Sequence, residues 1–416
     1  MTQAFPPAAV EIPQILGLSH LAQLIFDQVD TAPLWNELVA RATAEPADPA
    51  ALFDLSILLL LNGQADQGLA IQAQALELSP LFRRTHGDGS GLRVLGIFTP
   101  GGMMANTPLD FLLEGSDIRL DMLIIGQGVP LPTDLPDHDV AFLAIGESSA
   151  NVEVLATLGP VLAAWPKPVV NAAPDQIAGL TRDGVVAMFA DSAKVLAPAT
   201  SRLDRLLVTA VAEGRLSLQD VLQDGRFPII IRPIDSHAGQ ALEKIDSAEA
   251  LAAYLQANDP PEFYITAFVD YSGPDGLFRK QRIGFFQGAP FISHMAVSSH
   301  WMVHYLSAEM ATRPERRAEE ARFFAEFDAG FAARHAQAFA ELHAAFGLDY
   351  FAIDCAETPD GQLLLFEADV AMIIHAMDDE VLYPYKKPAM HKLFAAFQAM
   401  LARVAGAGRD AAAIAA

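Results

Sequence analysis

Three acidic side chains in segment 350–369 are spaced so that they could hold a cation. Apolar runs flank the sequence Thr-Pro-Asp-Gly at 358–361, which predicts a β-hairpin with a tight turn. If Thr358 and Gly361 close this turn, strand alternation makes Asp354, Glu367 and Asp369 project from the same face. The segment therefore predicts one acidic face at the end of a sheet.

The two faces of this predicted hairpin differ in chemistry. Asp354 is expected to oppose Leu365, which makes it a diagonal neighbour of Glu367, roughly 7–8 Å away at the backbone. Carboxylates this close repel one another unless a cation lies between them, and Mg²⁺ with the phosphate oxygens of a nucleotide suits such ligands. A solvated face with ordinary acids is the alternative. The opposite face is wholly apolar and consists of Phe351, Ile353, Cys355, Leu364, Phe366 and Ala368.

A second segment with charged residues lies earlier in the chain. A buried strand is predicted over 227–233 and ends in Arg232-Pro233. The loop that follows, 234–240, contains Ser236, His237 and Gly239. Another apolar strand is predicted directly after Arg282.

Histidines are concentrated in segment 293–305. His300 and His304 are four residues apart and would share one face of a helix, with Trp301 beside them. A zinc site is disfavoured, because the chain has no His-Glu-x-x-His sequence and its single cysteine does not add a ligand. His375 lies just past the acidic hairpin and is expected near the same pocket.

Composition limits the class of protein. At 416 residues the chain exceeds one hydrophobic core, so two or three domains are expected. The net charge of −24 and the absence of a long basic run disfavour a nucleic-acid partner. Apolar runs such as 57–61 are far shorter than the ~20 residues of a membrane helix. The single cysteine excludes an internal disulfide, and no secretory signal is recognisable, so a cytoplasmic protein is expected.

Along the chain, a helical region precedes two α/β regions and a tail. Segment 1–86 is predicted to be helical, and Asp48-Pro49 has the form of a helix start. After a Gly-rich linker, short apolar strands alternate with helices over 92–180, which predicts a small parallel, doubly wound sheet. Segment 181–404 contains the candidate residues described above. The Ala- and Gly-rich segment 405–416 is expected to be a flexible tail.

Together these features resemble the ATP-grasp superfamily, the fold of D-alanine–D-alanine ligase and of the enzymes that add glutamate to ribosomal-protein tails. The resemblance covers roughly 92–404 and rests on the order of Arg232, its loop, Arg282 and the acidic hairpin. It implies an α/β protein with an ATP-grasp fold over 181–404. A small parallel α/β (pre-ATP-grasp) domain over 92–180 and an N-terminal α-helical region would precede it.

The resemblance also implies roles in binding ATP and Mg²⁺. Arg232 would contact the phosphates where the family ordinarily has Lys, and Arg282 would reach the transferred phosphate. Asp369 would replace a family Asn as a metal ligand. The implied triphosphate loop comprises Ser236, His237 and Gly239; the implied adenine and ribose segment includes Thr266, Phe268 and Asp270; the implied Mg²⁺ ligands are Asp354, Glu367 and Asp369.

The remaining implied site is an acceptor pocket. In the glutamate-adding relatives the corresponding region borders the acceptor, which would give a substrate role to His300, Trp301, His304 and His375. Ordinary core or surface histidines are the alternative. The departures are Arg for Lys at position 232 and Thr266 near the position of a hinge Glu.

The function implied by the resemblance is an ATP- and Mg²⁺-dependent ligase. ATP would activate the carboxylate of a small molecule or peptide as an acyl phosphate, which an amine acceptor would attack. Two alternatives are a kinase that stops at the phosphorylated product and a degenerate nucleotide-binding adaptor. ADP formation on addition of a substrate would distinguish an enzyme from the adaptor.

The N-terminal helices suggest a protein contact. Segment 62–80 resembles the second helix of a tetratricopeptide repeat, but at most one and a half units are present and a stacked array needs about three. A docking or dimerisation layer is therefore expected, with a homo-oligomer or protein partner, and a simple helical cap is the alternative. A chain that starts near Gly89 is predicted to retain ATP binding.

Overall fold

The computed structural model describes the backbone of residues 11–126, 134–236, 239–304 and 308–415. The helices are α1 (Leu18–Phe26), α2 (Ala32–Ala42), α3 (Pro49–Leu61), α4 (Ala65–Leu78), α5 (Leu109–Leu112), α6 (Val152–Ala163), α7 (Pro174–Ala178), α8 (Arg182–Met188), α9 (Arg205–Ala212), α10 (Ala248–Ala257), α11 (Pro314–Glu326), α12 (Ala336–Phe346) and α13 (Lys386–Ala415). The strands are β1 (Leu81–Thr85), β2 (Arg93–Phe98), β3 (Arg119–Ile124), β4 (Val140–Leu143), β5 (Val169–Val170), β6 (Val195–Leu196), β7 (Thr200–Asp204), β8 (Ile229–Pro233), β9 (Glu243–Ile245), β10 (Glu262–Ala267), β11 (Phe278–Phe286), β12 (Ala289–Ser298), β13 (Tyr350–Glu357) and β14 (Leu363–Asp369). The predicted α/β class, with N-terminal helices that precede a largely parallel sheet, is confirmed.

The N-terminal helices share a hydrophobic core with the first sheet. α3 begins as predicted, and the carboxylate of Asp48 accepts a hydrogen bond from Ala50 N at 2.9 Å. Phe53 of α3 is buried and stacks on Phe82, with ring centroids 4.3 Å apart. The tetratricopeptide-like character of segment 62–80 is not confirmed. The fold instead ties these helices to the α/β core.

The prediction of helix up to residue 84 is wrong for β1. This strand pairs antiparallel with β3 and forms the edge of the first sheet. Phe82 is fully buried, whereas Arg83 and Arg84 on the following positions form ion pairs with Asp121 and Asp110. These partners, on β3 and α5, are distant in sequence, so no local periodicity indicated the strand.

The first sheet has the strand order β1-β3-β2-β4-β5, and β2, β3, β4 and β5 are parallel as predicted. The loops after β2 and β4 leave the same edge of the sheet and are joined by a hydrogen bond from Gly146 N to Ala105 O at 2.9 Å. In parallel α/β sheets this carboxyl edge is where ligands commonly bind. The edge brings Glu147 next to the acidic hairpin.

The second sheet is antiparallel, with the order β7-β10-β8-β9. One face packs on α9 and α10 through an apolar cluster that includes Ile231 and Phe263. The opposite face bears Arg202, Tyr264 and Arg232 as cross-strand neighbours in one row. This polar row belongs to the candidate active site.

The third sheet has the order β12-β11-β13-β14-β6 and contains the predicted hairpin as β13 and β14. The predicted turn between Thr358 and Gly361 forms, because Gly361 N donates to Thr358 O at 2.9 Å. Thr358 N also donates to Gln362 O at 3.0 Å, so the hairpin loop is one residue longer than predicted. Gly361 adopts φ +84° in this turn, a conformation that favours glycine. The longer turn changes which residues face each other across the hairpin.

Two further features complete the fold. α13 extends to Ala415, so the backbone of the predicted flexible tail over 405–416 is helical as far as it is described. Among the helices that the structure describes, none has the length and apolar character needed to cross a membrane. The proposed domain boundaries at 86, 92, 180 and 404 stay predictions.

Candidate active site

The two central carboxylates face each other directly across the hairpin. Because the pairing skips Phe366 at a bulge, Asp354 is the partner of Glu367, rather than of Leu365 as predicted. The prediction that Asp354, Glu367 and Asp369 share a face holds in this register, because Asp369 pairs with Ala352. Direct opposition of two acids requires compensating positive charge.

The predicted apolar face is only partly right, because the longer turn and the bulge change the facing of β14. Leu364 and Phe366 belong to a separate apolar cluster around Tyr271, on the carboxylate side of the hairpin. Leu363 and Leu365 take their place in the main core. The carboxylates therefore border an apolar cluster instead of open solvent.

Asp354 is held by two cations from β11. Arg282 donates from Nε and Nη2 to the two carboxylate oxygens at 2.8 and 3.0 Å, and Lys280 Nζ donates to Oδ2 at 2.8 Å. The Asp354 side chain is only 4% exposed. Although burial opposes ionisation, the charges of Arg282 and Lys280 hold the pKa of Asp354 well below its ordinary value. Asp354 is therefore an ionised partner of a buried cation pair.

Glu367 receives positive charge from three arginines on different elements. Arg182, at the start of α8, donates from Nη2 to Glu367 Oε1 at 2.7 Å. Burial opposes ionisation of Glu367, yet the charges of Arg182, Arg232 and Arg282 leave its pKa below the ordinary value. Arg182 thus contacts this carboxylate directly, and the charges of Arg232 on β8 and Arg282 on β11 add to its stabilisation.

Asp369 and Glu147 lack comparable compensation. Burial and the charges of Glu367 and Glu147 raise the pKa of Asp369 to about 7, even though its Oδ1 accepts from Ala371 N at 2.9 Å. Burial and the charge of Asp235 raise the pKa of Glu147 to about 7 as well. These two carboxyl groups can exchange protons near neutral pH, which suits general acid–base chemistry.

Arg232 lies at the predicted strand end and faces the site. Its Nε donates to Ser236 Oγ at 3.0 Å, and Ser236 Oγ donates to Pro233 O at 2.8 Å. Burial and the nearby charge of Arg182 lower the pKa of Arg232 to about 10. Two arginines placed this close favour an anionic ligand between them.

The loop after Arg232 meets two other parts of the molecule. Asp235, at its start, accepts a hydrogen bond from the Ser149 hydroxyl in the loop after β4. Gly239, at φ +75°, lies against Met302, whose sulfur would be 3.3 Å from an added Cβ. His237, predicted in the triphosphate loop, lies outside the described residues. The described ends of this loop therefore contact the loop after β4 and the segment around Met302.

The segment predicted to hold adenine and ribose is spread over several environments. Thr266 is paired through its hydroxyl with Thr200 at 3.0 Å, and the Phe268 ring makes an edge contact with Trp301 at 5.9 Å. Asp270 is exposed and accepts from Ser272 N at 3.0 Å, which is the ordinary bond of a polar turn. Phe268 and Trp301 form an aromatic wall, whereas the contacts of Asp270 are those of a turn and do not indicate a ribose site.

The shared helix face predicted for His300 and His304 is wrong, because residues 299–302 form bends and residues 303–304 belong to no helix. Ser298 Oγ accepts from His300 N at 3.0 Å, and His300 Nδ1 accepts from Met302 N at 3.2 Å. Such bonds between side chains and the backbone compete with helical hydrogen bonds. His300 is exposed and packs beside Trp301, with ring centroids 5.6 Å apart.

Two of the predicted histidines do approach the cationic cluster. Burial and the charges of Lys280 and Arg282 lower the pKa of His304. Burial also lowers the pKa of His375, whose ring centroid is 6.0 Å from that of Phe111 in α5. Both histidines are therefore neutral neighbours of the site at pH 7.

Several site residues were not predicted from the sequence: Arg182, Lys280, His294, Glu147 and Asp235. Lys280 is two residues before Arg282, and strand alternation could have placed both on one face if β11 had been predicted to start at Phe278. His294 pairs directly with Arg282 on β12, a strand that the sequence did not reveal. The other three depend on contacts between distant elements.

The predicted metal set does not fit a metal ion in this arrangement. Among the described residues, no group of three His, Cys, Asp or Glu side chains could hold one. Both oxygens of Asp354 already accept hydrogen bonds from Lys280 or Arg282, so positive side chains occupy the place expected for the cation.

Comparison with known proteins adds a structural likeness only. No family model matches the chain, and a search of curated proteins found no match. Similar solved structures include D-alanine–D-alanine ligase from Bacillus anthracis complexed with ATP, at 13% identity and a TM-score of 0.44 over 77% of this chain and 99% of that chain. The ligase of the same kind from Coxiella burnetii shows 10% identity and a TM-score of 0.47 over 78% and 98% of the chains. A RimK domain ATP-grasp protein from Sphaerobacter thermophilus shows 11% identity and a TM-score of 0.38 over 72% and 98%. Identities and TM-scores this low do not show that these proteins share an activity with this chain.

Proposed function

We propose that the protein is an ATP-dependent, ADP-forming ligase that joins a carboxylate to an amine. The observation that carries the proposal is the positive charge around Glu367, which Arg182 contacts at 2.7 Å and whose pKa the charges of Arg232 and Arg282 also lower. Arginine forks bind phosphate and carboxylate oxygens with two hydrogen bonds, and such a cluster suits a reaction between two anions. The chain as a whole has a net charge of −24, which makes this local concentration of positive charge distinctive.

The proposed reaction has two steps. A carboxylate oxygen of the substrate attacks the γ-phosphorus of ATP, and ADP leaves. The amine nitrogen of the second substrate then attacks the carbonyl carbon of the acyl phosphate and loses a proton. Inorganic phosphate leaves with one former carboxylate oxygen. Positioning and charge stabilisation supply most of the catalysis in phosphoryl transfer, so no nucleophilic side chain is needed.

The described residues have distinct roles in this proposal. Arg232 and Arg182 bind the phosphates of ATP, and Arg282 with Lys280 offsets the negative charge that collects near Asp354. Glu147, with its pKa of about 7, accepts the proton that the attacking amine loses. Phe268 and Trp301 provide an apolar wall for a base or an apolar substrate group.

The substrate carboxylate and the acceptor amine belong to the amino acid or peptide class in this proposal. The proposal is tested by ADP formation with a panel of amino acids and short peptides, supplied singly and in pairs. ADP that appears only with a carboxylate and an amine together supports the ligase. ADP with the carboxylate alone would instead support the kinase.

A nucleotide-binding adaptor is the second candidate. It is favoured by the salt bridges of Asp354 with Lys280 and Arg282, because they occupy the carboxylate that was predicted as the metal ligand on β13. An adaptor would bind ATP in calorimetry, and no pair of substrates would lead it to form ADP. In this proposal the N-terminal helices form the docking contact, either with a second copy of the chain or with a partner protein.

A further inference from the structure

Lys280 brings an ammonium group to the acidic hairpin, where the sequence predicted a divalent cation. Lys280 and Arg282 are two residues apart on β11, so both side chains leave the same face of the sheet. Arg282 is the direct cross-strand partner of Asp354 on β13. Lys280 lies one step further along this face and reaches Asp354 diagonally. The strand beside the hairpin therefore supplies two cations to one acid.

Both carboxylate oxygens of Asp354 have a cationic partner. Oδ1 accepts from Arg282 Nε at 2.8 Å, and Oδ2 accepts from Arg282 Nη2 at 3.0 Å and from Lys280 Nζ at 2.8 Å. Mg²⁺ binds its oxygen ligands at about 2.0–2.1 Å, so an ion on Oδ2 would lie beside the ammonium group. Like charges repel strongly where little water separates them. Lys280 and a divalent cation therefore exclude each other at Asp354.

The other two acids that were predicted as metal ligands also have partners within the protein. Glu367 Oε1 accepts from Arg182 Nη2 at 2.7 Å, and Asp369 Oδ1 accepts from Ala371 N at 2.9 Å. In the part of the chain that the structure describes, no three His, Cys, Asp or Glu side chains are grouped so that they could hold a metal ion. The arrangement therefore departs from the Mg²⁺ site that the family resemblance implies.

Asp354 receives more positive charge than it can balance. Arg282 already matches the carboxylate with two hydrogen bonds, and Lys280 adds a second cation to the same group. Glu367, directly opposite, has Arg182 as its own partner. The Lys280 side chain is only 16% exposed, and a charge removed from water needs a partner of opposite sign. The excess positive charge indicates an anionic ligand beside Lys280.

We propose that the Lys280 ammonium takes the place of a divalent cation at the hairpin, and that the site binds ATP free of metal. This inference rests on the proposed function, because ATP is the anion that the proposed reaction supplies. An ammonium group has three donors on a compact charge, so Lys280 can donate to Asp354 and to a phosphate oxygen at the same time. The guanidinium group of Arg282 holds Asp354 in position for this contact.

Metal binding to the full chain without nucleotide tests the assignment. Mn²⁺ is the probe, because it prefers the same oxygen ligands as Mg²⁺ and its free ion is measured by electron paramagnetic resonance. Lys280→Met removes the ammonium from Oδ2 of Asp354 and should add one Mn²⁺ site, which the further change Glu367→Gln should remove. Lys280→Arg keeps the charge and should add none. The exposed control Lys392→Met, which breaks a surface pair with Asp328, should also add none.

Two outcomes of this measurement would overturn the proposal. One is a Mn²⁺ site in the native chain that Glu367→Gln alone removes. The other is a folded Lys280→Met variant that binds no more Mn²⁺ than the native chain. Far-UV circular dichroism checks the fold of each variant, and if Lys280→Met does not fold, ATP binding by the native chain decides.

Calorimetry of ATP binding in EDTA and in excess Mg²⁺ tests the form of the nucleotide. We expect the native chain to bind ATP at least as tightly in EDTA as in Mg²⁺. Lys280→Met should bind ATP at least tenfold more weakly than the native chain in EDTA, and Mg²⁺ should restore most of this loss. A native affinity that falls tenfold or more in EDTA would overturn the proposal.

The two measurements separate this inference from the proposed function. Absence of ATP binding in both buffers would refute the proposed function and the nucleotide part of this inference. The Mn²⁺ comparison involves no nucleotide, so it would still decide whether Lys280 takes the place of a divalent cation.

Discussion

Replacing Asp354 by Asn should strongly destabilise the protein, because Asp354 neutralises two cations in the core of the third sheet. The side chains of Asp354, Lys280 and Arg282 are 4%, 16% and 20% exposed, and three hydrogen bonds of 2.8–3.0 Å join them. Removal of one partner from a buried ion pair costs about 3–5 kcal/mol, since the remaining charge stays buried and uncompensated. Asp354→Asn should lose stability in this range.

The assay is urea unfolding at pH 7, followed by circular dichroism. The matched control is Asp246→Asn, which removes the partner of Lys244 from a surface pair in which Asp246 is 72% exposed. Surface pairs contribute about 0–1 kcal/mol, so the control should change the free energy of unfolding by less than 1 kcal/mol. A loss of less than about 1 kcal/mol in Asp354→Asn, or one equal to the control, would refute the assigned role.

The pH dependence of this effect has a definite sign. The folded-state pKa of Asp354 is depressed, so its contribution is present above the unfolded-state pKa of about 3.9 and is lost as pH falls through the folded-state value. The stability difference between the native chain and Asp354→Asn should therefore be constant from pH 6 to 8 and shrink below about pH 4. A difference that grows on acidification would contradict the ion-pair account.

The other predictions concern ligand binding, catalysis and assembly. Arg232→Ala should weaken ATP binding by about 1.5–3 kcal/mol in calorimetry, whereas Arg232→Lys should keep most of the affinity. The exposed control Arg215→Ala should leave the affinity unchanged. Equal losses in both Arg232 variants would indicate a structural role. Glu147→Gln should remove the rise in ligase rate through about pH 7, because an ionised Glu147 is the proposed base; an unchanged pH profile would exclude it. A chain that starts at Gly89 should fail to fold, since it lacks the edge strand β1 and the buried Phe53–Phe82 stack. Normal melting with retained ATP binding would contradict this and would support the expectation from the sequence that the N-terminal helices are dispensable for ATP binding.

Local patterns predicted the elements well where the periodicity was unbroken. The cap at Asp48, the parallel strands of the first sheet and the acidic face with Glu367 and Asp369 all follow from spacing over a few residues. The strand β1 was missed because Phe82 is its only fully buried residue, and its arginines are explained by acids distant in sequence. Short edge strands of this kind carry little periodic signal.

The details of the site depend on contacts that no local pattern specifies. The bulge at Phe366 shifts Asp354 opposite Glu367, and nothing in the hairpin sequence marks which residue the pairing skips. Lys280 and Arg182 approach the acids only after the third sheet and α8 come together. The sequence therefore indicated the acidic hairpin, whereas the cations that neutralise it needed the assembled fold.

Transfer of oxygen from the substrate to phosphate tests the proposed activity most directly. An amino acid or peptide with ¹⁸O in its carboxylate would be incubated with the protein, ATP and an amine acceptor, and the inorganic phosphate analysed by mass spectrometry. An acyl phosphate intermediate requires one ¹⁸O atom in the released phosphate for each bond formed, and Arg232→Ala should lower that yield. Phosphate without label, or no ADP with any substrate pair, would contradict the account.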